Sequence, residues 1–218
     1  MLIVAIDTSG KQGSVALCRG DESQLEVLAT LDIAGGTYSA RLVPCIDELL
    51  RTAGLDKSQI GGLVVVDGPG SFTGLRVGLS TAKALSEALE KPLATVSMLE
   101  ALALTYGAPD EVVTAVLDAG RGEVYIGEFE VTGKRAVLHH QSIAKLSEVL
   151  ARGWPTGARV LTTDARLEGA GIVAALKADR VASIGLRKLL EGDTADAETL
   201  DANYIRRSDA ELFSSPKR

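Results

Sequence analysis

The chain has 218 residues, enough for one large domain or two smaller lobes with a real core. Hydrophobic residues make up 46% and charged residues 24%, as in a globular protein, but aromatics are only 4%, so the core must come from Leu, Val, Ile and Ala. The net charge of −6, with no block of Lys or Arg, argues against a chain that grips nucleic acid by itself, because that affinity rests on neutralised phosphates.

Leu2–Ile6 is a short β-branched run ending at Asp7 and reads as a buried strand. The opening M-L-I-V-A-I-D has no basic n-region and no cleavage site, so no signal peptide is expected. A turn at Asp7–Gly10 leads to a second strand, Gly13–Cys18, and a turn at Arg19–Asp21 to a third, Leu25–Ile33. Strands joined this closely imply an antiparallel meander. Gly35–Ser39 breaks the pattern. A helix follows with apolar residues at Leu42, Val43, Ile46, Leu49, Leu50 and Ala53, stopped by Gly54. Pro44 is expected in its first turn, where a missing N–H costs little.

Leu63–Val66 reads as a strand and runs into D-G-P-G-S-F-T-G-L-R-V-G-L-S-T-A-K-A-L, Asp67 to Leu85. A strand, a glycine-rich turn and a helix N-terminus can aim backbone N–H groups at an anion, or serve only as a tight connection. The helix predicted over Thr73–Leu89 has an apolar face of Leu75, Leu79, Ala82, Leu85 and Leu89, and small residues at Gly74, Gly78, Ser80, Ala84 and Ala88. A glycine inside a helix costs about 1 kcal/mol, so Gly78 needs a packing reason. Leu93–Val96 is a brief strand. Ser97 caps a helix over Met98–Tyr106, with Glu100 three residues on.

Ala108-Pro109-Asp110 marks a lobe boundary. Val112–Leu117 and Glu123–Val131 form a hairpin across a turn at Asp118–Gly122. Ile143–Leu150 is expected to be helical, Arg159–Leu161 a strand, Gly171–Ala178 and Ser183–Leu190 two helices, and Gly192–Asp201 an acidic linker. No repeat of fixed period is evident. The expected division is residues 1–107, 108–202, and 203–218 as a closing segment and tail, with a return to the first lobe left open.

Several residues invite chemistry. Asp7 could hold a metal or orient water beside a phosphate, or could serve its own turn with Thr8 and Ser9. Arg76, in a helix's first turn, implies a neighbouring anion or carboxylate, or snorkels to solvent. Asp118, Arg121 and Glu123 group at the hairpin turn, facing a phosphate, a partner or water. His139 and His140 are the only histidines; adjacent in a strand, they should point to opposite faces and cannot form a two-histidine helical ligand set. Cys18 and Cys45 have no Cys or His at ligand spacing and read as buried free thiols of a reducing compartment. No apolar run approaches the ~20 residues of a membrane span, so a cytoplasmic location without membrane contact is expected.

M-L-I-V-A-I-D-T-S followed by G-S-V-A-L, then S-A-R-L-V-P, G-P-G-S-F-T-G-L-R-V-G-L-S-T-A-K-A-L, D-A-G-R-G-E-V-Y and A-N-Y-I-R-R-S-D-A-E-L together resemble the bacterial TsaB family. The resemblance covers most of the chain in order. It implies an α/β fold of the actin-like, sugar kinase and Hsp70 type, with two lobes each built on a mixed sheet. It implies a role in forming N6-threonylcarbamoyladenosine on tRNA. The catalytic paralogue, TsaD, carries a metal-binding H-x-x-x-H motif that this sequence lacks. The chain is therefore expected to be a non-catalytic subunit with no catalytic residue and no metal, dimerising with TsaD, working with the ATPase TsaE, and reaching tRNA through the complex. A homodimer is expected when TsaD is absent. Alternatives are a small ATP-binding phosphotransferase or peptidase-like enzyme of the same fold, and a homodimer with a regulatory or cell-wall-related role.

Family dimers pack the helices corresponding to Arg41–Ala53 and Thr73–Leu89 against the partner. Arg41, Leu42, Cys45, Leu49, Gly74, Leu75, Gly78, Leu79, Ala82 and Leu85 are thereby assigned to an interface, and Gly78→Leu is expected to disrupt dimerisation while sparing the monomer. Asp7, Thr8, Ser9, Gly70, Ser71, Thr73 and Arg76 are assigned to an anion- or nucleotide-facing surface. D-T-S lacks the glycine that nucleotide-hydrolysing relatives place after Asp-x for close phosphate approach. ATP or ADP is accordingly expected at a joint interface and not on this chain alone. Relatives often carry His where Thr37 or Tyr38 stands.

Overall fold

The computed structural model describes residues 1–154, 157, 159–203 and 205. The chain forms two compact units, each built on a five-stranded mixed sheet.

The first unit comprises residues 1–101 and 175–202. Strands β1 (Leu2–Asp7), β2 (Gln12–Gly20) and β3 (Leu25–Ala34) form the expected meander. Strands β4 (Gly62–Gly68) and β5 (Leu93–Ser97) add to β1 in parallel, giving the order β3-β2-β1-β4-β5. Every residue of the central strand β1 is buried, as its unbroken apolar run requires of a strand covered on both faces.

Helix α1 (Tyr38–Thr52) crosses from β3 to β4, and α2 (Phe72–Leu89) from β4 to β5. Helix α5 (Ala178–Glu191) packs on the opposite face. Neighbouring residues of β2 show the two sides: a side chain on Gly13 would meet the Tyr38 ring of α1, whereas the Ser14 hydroxyl accepts the Ala178 N–H of α5 at 2.8 Å. Ser14 therefore caps a helix 164 residues away. Gly185 lets α5 settle against Val64 with no Cβ between them.

The second unit comprises residues 102–174 and the described residues after Ala202. Strands β6 (Glu111–Gly120), β7 (Glu123–Thr132) and β8 (Arg135–Lys145) form an antiparallel meander. Strands β9 (Arg159–Thr162) and β10 (Gly171–Ile172) follow in parallel, so the order β8-β7-β6-β9-β10 repeats that of the first sheet. Helix α4 (Leu146–Arg152) buries Val149 among Val116, Val124, Ile126, Val160 and Leu167. The Arg121-Gly122 turn has positive φ at both residues, the hairpin geometry that a right-handed strand twist favours. Helix α3 (Met98–Tyr106) spans the division between the units.

Several expectations change. Residues 178–190 belong with the first unit, not the second lobe, because the apolar stripe Val181, Ile184, Leu186 and Leu189 finds its cover on the first sheet. Ile143 and Ala144 extend β8 instead of starting a helix, since each has a cross-strand partner, Tyr125 and Val124. Gly171–Ile172 is a strand, and 178–191 one continuous helix. Pro44 lies in the second turn of α1; the Ala40 carbonyl it leaves without a helical donor is on the exposed side, open to water. Residues 192–202 run along β5 and α2 instead of hanging free: Ala195 N–H donates to the Leu93 carbonyl and Lys83 Nζ to that of Leu200. The closing segment expected over 203–218 lies outside the described residues except for Asn203 and Ile205.

Candidate functional site

The parallel strands β1, β4 and β5 end on the same side, where open α/β sheets place their ligands. Asp7, Thr8 and Ser9 follow β1 there, and Gly68 to Ser71 follow β4. The two turns are tied together: the Ser71 N–H donates to the Ser9 carbonyl at 2.7 Å, and Gly70 lies so close to Ser9 that a Cβ would meet the Ser9 Cβ at 2.7 Å. Asp7, Thr8, Ser9, Gly70 and Ser71 are therefore neighbours, as the sequence suggests.

Their polar atoms, however, are turned toward one another. Asp7 is only 4% exposed, and its Oδ1 accepts both the Ser9 N–H at 2.9 Å and the Ser9 hydroxyl at 2.7 Å. Burial raises its pKa, against the opposing pull of those two hydrogen bonds. The Thr8 hydroxyl donates to the Gly74 carbonyl at 2.7 Å. The Ser71 hydroxyl accepts the Gly74 N–H at 3.3 Å and so caps α2 itself. The Tyr38 hydroxyl donates to the Gly10 carbonyl at 2.8 Å and holds the far end of the turn. Of the alternatives open for Asp7, the turn role is the one this geometry realises.

Gly74 and Gly78 have their packing reason here. A Cβ on Gly74 would strike the Thr8 carbonyl oxygen, and one on Gly78 the Thr8 hydroxyl. The close approach assigned to a partner is made within the chain. Leu42, Cys45, Leu49, Leu75, Leu79 and Ala82 are likewise buried in their own unit, because both helices direct their apolar stripes at the sheet. Direct contact with another protein is corrected for these eight; Arg41 is exposed and Leu85 half-buried.

The outward faces carry other residues. Val43 is 53% and Phe72 40% exposed. The helix starts at Phe72, which moves Arg76 to the second turn of α2, and its guanidinium lies 3.9 Å from the centre of the Phe72 ring in a cation–π contact. Thr73, Ser80, Ala84 and Ala88 continue this exposed side of α2.

A second polar group lies at the ends of β4 and β5. Lys188 of α5 donates to Glu100 at 2.9 Å and to the Thr95 carbonyl at 3.1 Å. Asp67 hydrogen-bonds Thr95, and its Oδ1 has no partner. Burial, mainly, pushes its carboxyl up to about 6, with Lys188 pulling the other way. An acidic residue directly after an apolar strand was the visible signal for this group; Lys188, far along the chain, was not.

In the second unit Asp118 accepts from Arg166 at 3.0 Å, and Arg166 is also bound by Asp164. The histidines depart from expectation. The β7–β8 register passes from Glu128↔His140 to Phe129↔Leu138, so His139 is the extra residue of a bulge. It reaches Glu130 at 3.1 Å, beside the Glu128–His140 pair, and both histidines thus share one exposed face. Among the described residues, no group of three His, Cys, Asp or Glu side chains is placed to hold a metal ion. No described helix is long and apolar enough to cross a membrane. Both cysteines are free and buried; burial and the Asp179 carboxylate push Cys18 up to about 12.

The family model of TsaD, tRNA N6-adenosine threonylcarbamoyltransferase, matches residues 26–187. The tRNA threonylcarbamoyladenosine biosynthesis protein TsaB of Bacillus subtilis is 36% identical over 130 residues, covering 60% of this chain and 56% of that protein. The chain belongs to the TsaB family. The protein of the same name from Escherichia coli is 27% identical over 226 aligned positions, covering 95% of this chain and 96% of its own. The match to the Bacillus subtilis protein, like that to the TsaB of Haemophilus influenzae at 53%, thus spans about half the length of the relative. Among solved structures, YeaZ from Pseudomonas aeruginosa superposes with a TM-score of 0.74 at 26% identity, over 93% of this chain and 99% of that one. The TsaB family and a two-lobed, actin-like fold, both expected from the motifs, are thereby established.

Proposed function

We propose that this chain is a non-catalytic subunit of the tRNA N6-threonylcarbamoyladenosine synthesis machinery, which binds TsaD and activates it for threonylcarbamoyl transfer to adenosine. The observation that carries the non-catalytic part is the state of Asp7. The best-placed carboxylate of the first unit is buried, and its Oδ1 accepts two hydrogen bonds from Ser9. Thr8 and Ser71 are also engaged within the fold, which supports a structural role for this pair of turns. Its two histidines, adjacent on β8, cannot supply the H-x-x-x-H motif that the resemblance attaches to TsaD.

The partner surface in this reading is the outward side of α1 and α2, around Arg41, Val43, Phe72, Arg76 and Ala84. Exposed apolar side chains flanked by guanidinium groups suit the core and rim of a protein interface. TsaE and tRNA join through the complex, ATP or ADP sits at a shared interface, and the same helices pair two copies when TsaD is absent. The setting is the cytoplasm.

Reconstitution tests this reading. TsaD, TsaE, a threonylcarbamoyl-adenylate synthase, ATP and tRNA are combined with and without the chain. We expect modification to fall at least tenfold in its absence; equal modification overturns the proposal. ATP turnover or peptide cleavage by the isolated chain, lost in Asp7→Ala, would support the phosphotransferase or peptidase alternative.

A further inference from the structure

The first sheet ends at β5, whose outer edge offers the Leu93 and Thr95 carbonyls to any passing strand. Both are occupied. The Leu93 carbonyl accepts the Ala195 N–H at 2.7 Å, in an isolated antiparallel bridge. The Thr95 carbonyl accepts from Lys188 Nζ at 3.1 Å. Residues 192–202 supply the first of these caps. They leave α5 at Gly192, whose φ of 77° turns the chain back, and touch β5 at Ala195. They then close a turn in which the Leu200 N–H donates to the Asp196 carbonyl at 2.9 Å. That turn presents the Leu200 carbonyl to Lys83 Nζ of α2, also at 2.9 Å.

We propose that residues 192–202 are a detachable strap that closes the β5 edge, and that Lys83 is its latch. Beyond the α5 C-cap, where the Gly192 and Asp193 N–H groups donate to the Leu189 and Lys188 carbonyls, two hydrogen bonds among the described residues tie the strap to the body of the unit: Ala195 to Leu93 and Lys83 to Leu200. The other bonds of the segment are local, such as Asp196 accepting from Glu198 and Thr199. A segment held at two points opens at a cost far below that of unfolding the sheet. The Lys83 bond, with its charged donor, is the stronger tie.

Amide hydrogen exchange of the full chain tests the latch. Lys83→Met keeps the aliphatic stem and removes the donor. We expect the Ala195 and Leu200 amides to exchange about ten- to hundredfold faster, the factor that losing one hydrogen bond to a charged group gives, while the amides of α2 and β4 keep their rates. Unchanged exchange at Ala195 and Leu200 overturns the latch. Equally faster exchange throughout the first unit overturns it too, since Lys83 would then be a general support. Should Lys83→Met not accumulate as folded protein, Lys83→Ala serves with the same readout.

Discussion

Gly74 and Gly78 are where α2 touches the turn after β1, and in both the missing Cβ is what lets the Thr8 hydroxyl reach the Gly74 carbonyl. Gly78→Leu would drive a side chain into Thr8 and separate the helix from the sheet. We expect a loss on the order of 3 kcal/mol or more, read as a fall in Tm of the isolated chain, instead of a loss of self-association in a stable monomer. Asp67 behaves in the opposite sense. Its carboxyl titrates near 3.8 when unfolded and at about 6 in the fold. Above pH 6 both states are charged, and only the folded one bears the desolvation cost. As the pH falls through 6 the folded state takes the proton first, so stability from this group rises until about pH 4 and is then level. Asp67→Asn should therefore be more stable than the parent at pH 8, on the order of 1–3 kcal/mol in urea denaturation, with the gap closing between pH 6 and pH 4.

At the scale of elements, the same two helices have an inner and an outer side, and only one of them could be read from periodicity. The stripe Leu75, Leu79 and Ala82 was visible as apolar spacing, but spacing does not say whether a sheet or another protein covers it. The glycines compounded the difficulty, because small residues suit both kinds of contact. On the structure, Val43 and Phe72 are the large apolar side chains of these helices left outside. Val43→Asp should weaken capture of TsaD at least tenfold by surface plasmon resonance while leaving Tm nearly unchanged, since an exposed helix position costs little stability. An unchanged affinity would move the interface elsewhere. The meander β1–β3 and the β6–β7 hairpin were legible because short turns leave antiparallel pairing as the one outcome. The β8–α4 boundary was not, since Ile143 and Ala144 fit a helix as well as a strand until β7 pairs with them.

At the scale of the molecule, two sheets share one strand order although the sequence shows no periodic repeat. What a sheet order demands is burial and register, and many sequences meet that demand; a repeat in space need not survive as a repeat in residues. The division into units was poorly legible for a related reason. Pro109 suggests a boundary near residue 108, whereas the units divide after Ala101, within α3, and the attachment of α5 to the first sheet rests on contacts such as Ser14 with Ala178 that no local pattern announces. That cap carries a consequence for how the chain is made. On a ribosome, the strands of the first sheet emerge long before their covering helix. Residues 102–174 must be synthesised in between, on the order of 4–15 s at about 5–20 residues per second. Throughout that interval one face of the sheet is bare and the Ser14 hydroxyl awaits its partner. The nascent chain is thus held incomplete until residues 178–191 arrive, and the first unit can close only after the core of the second has been made.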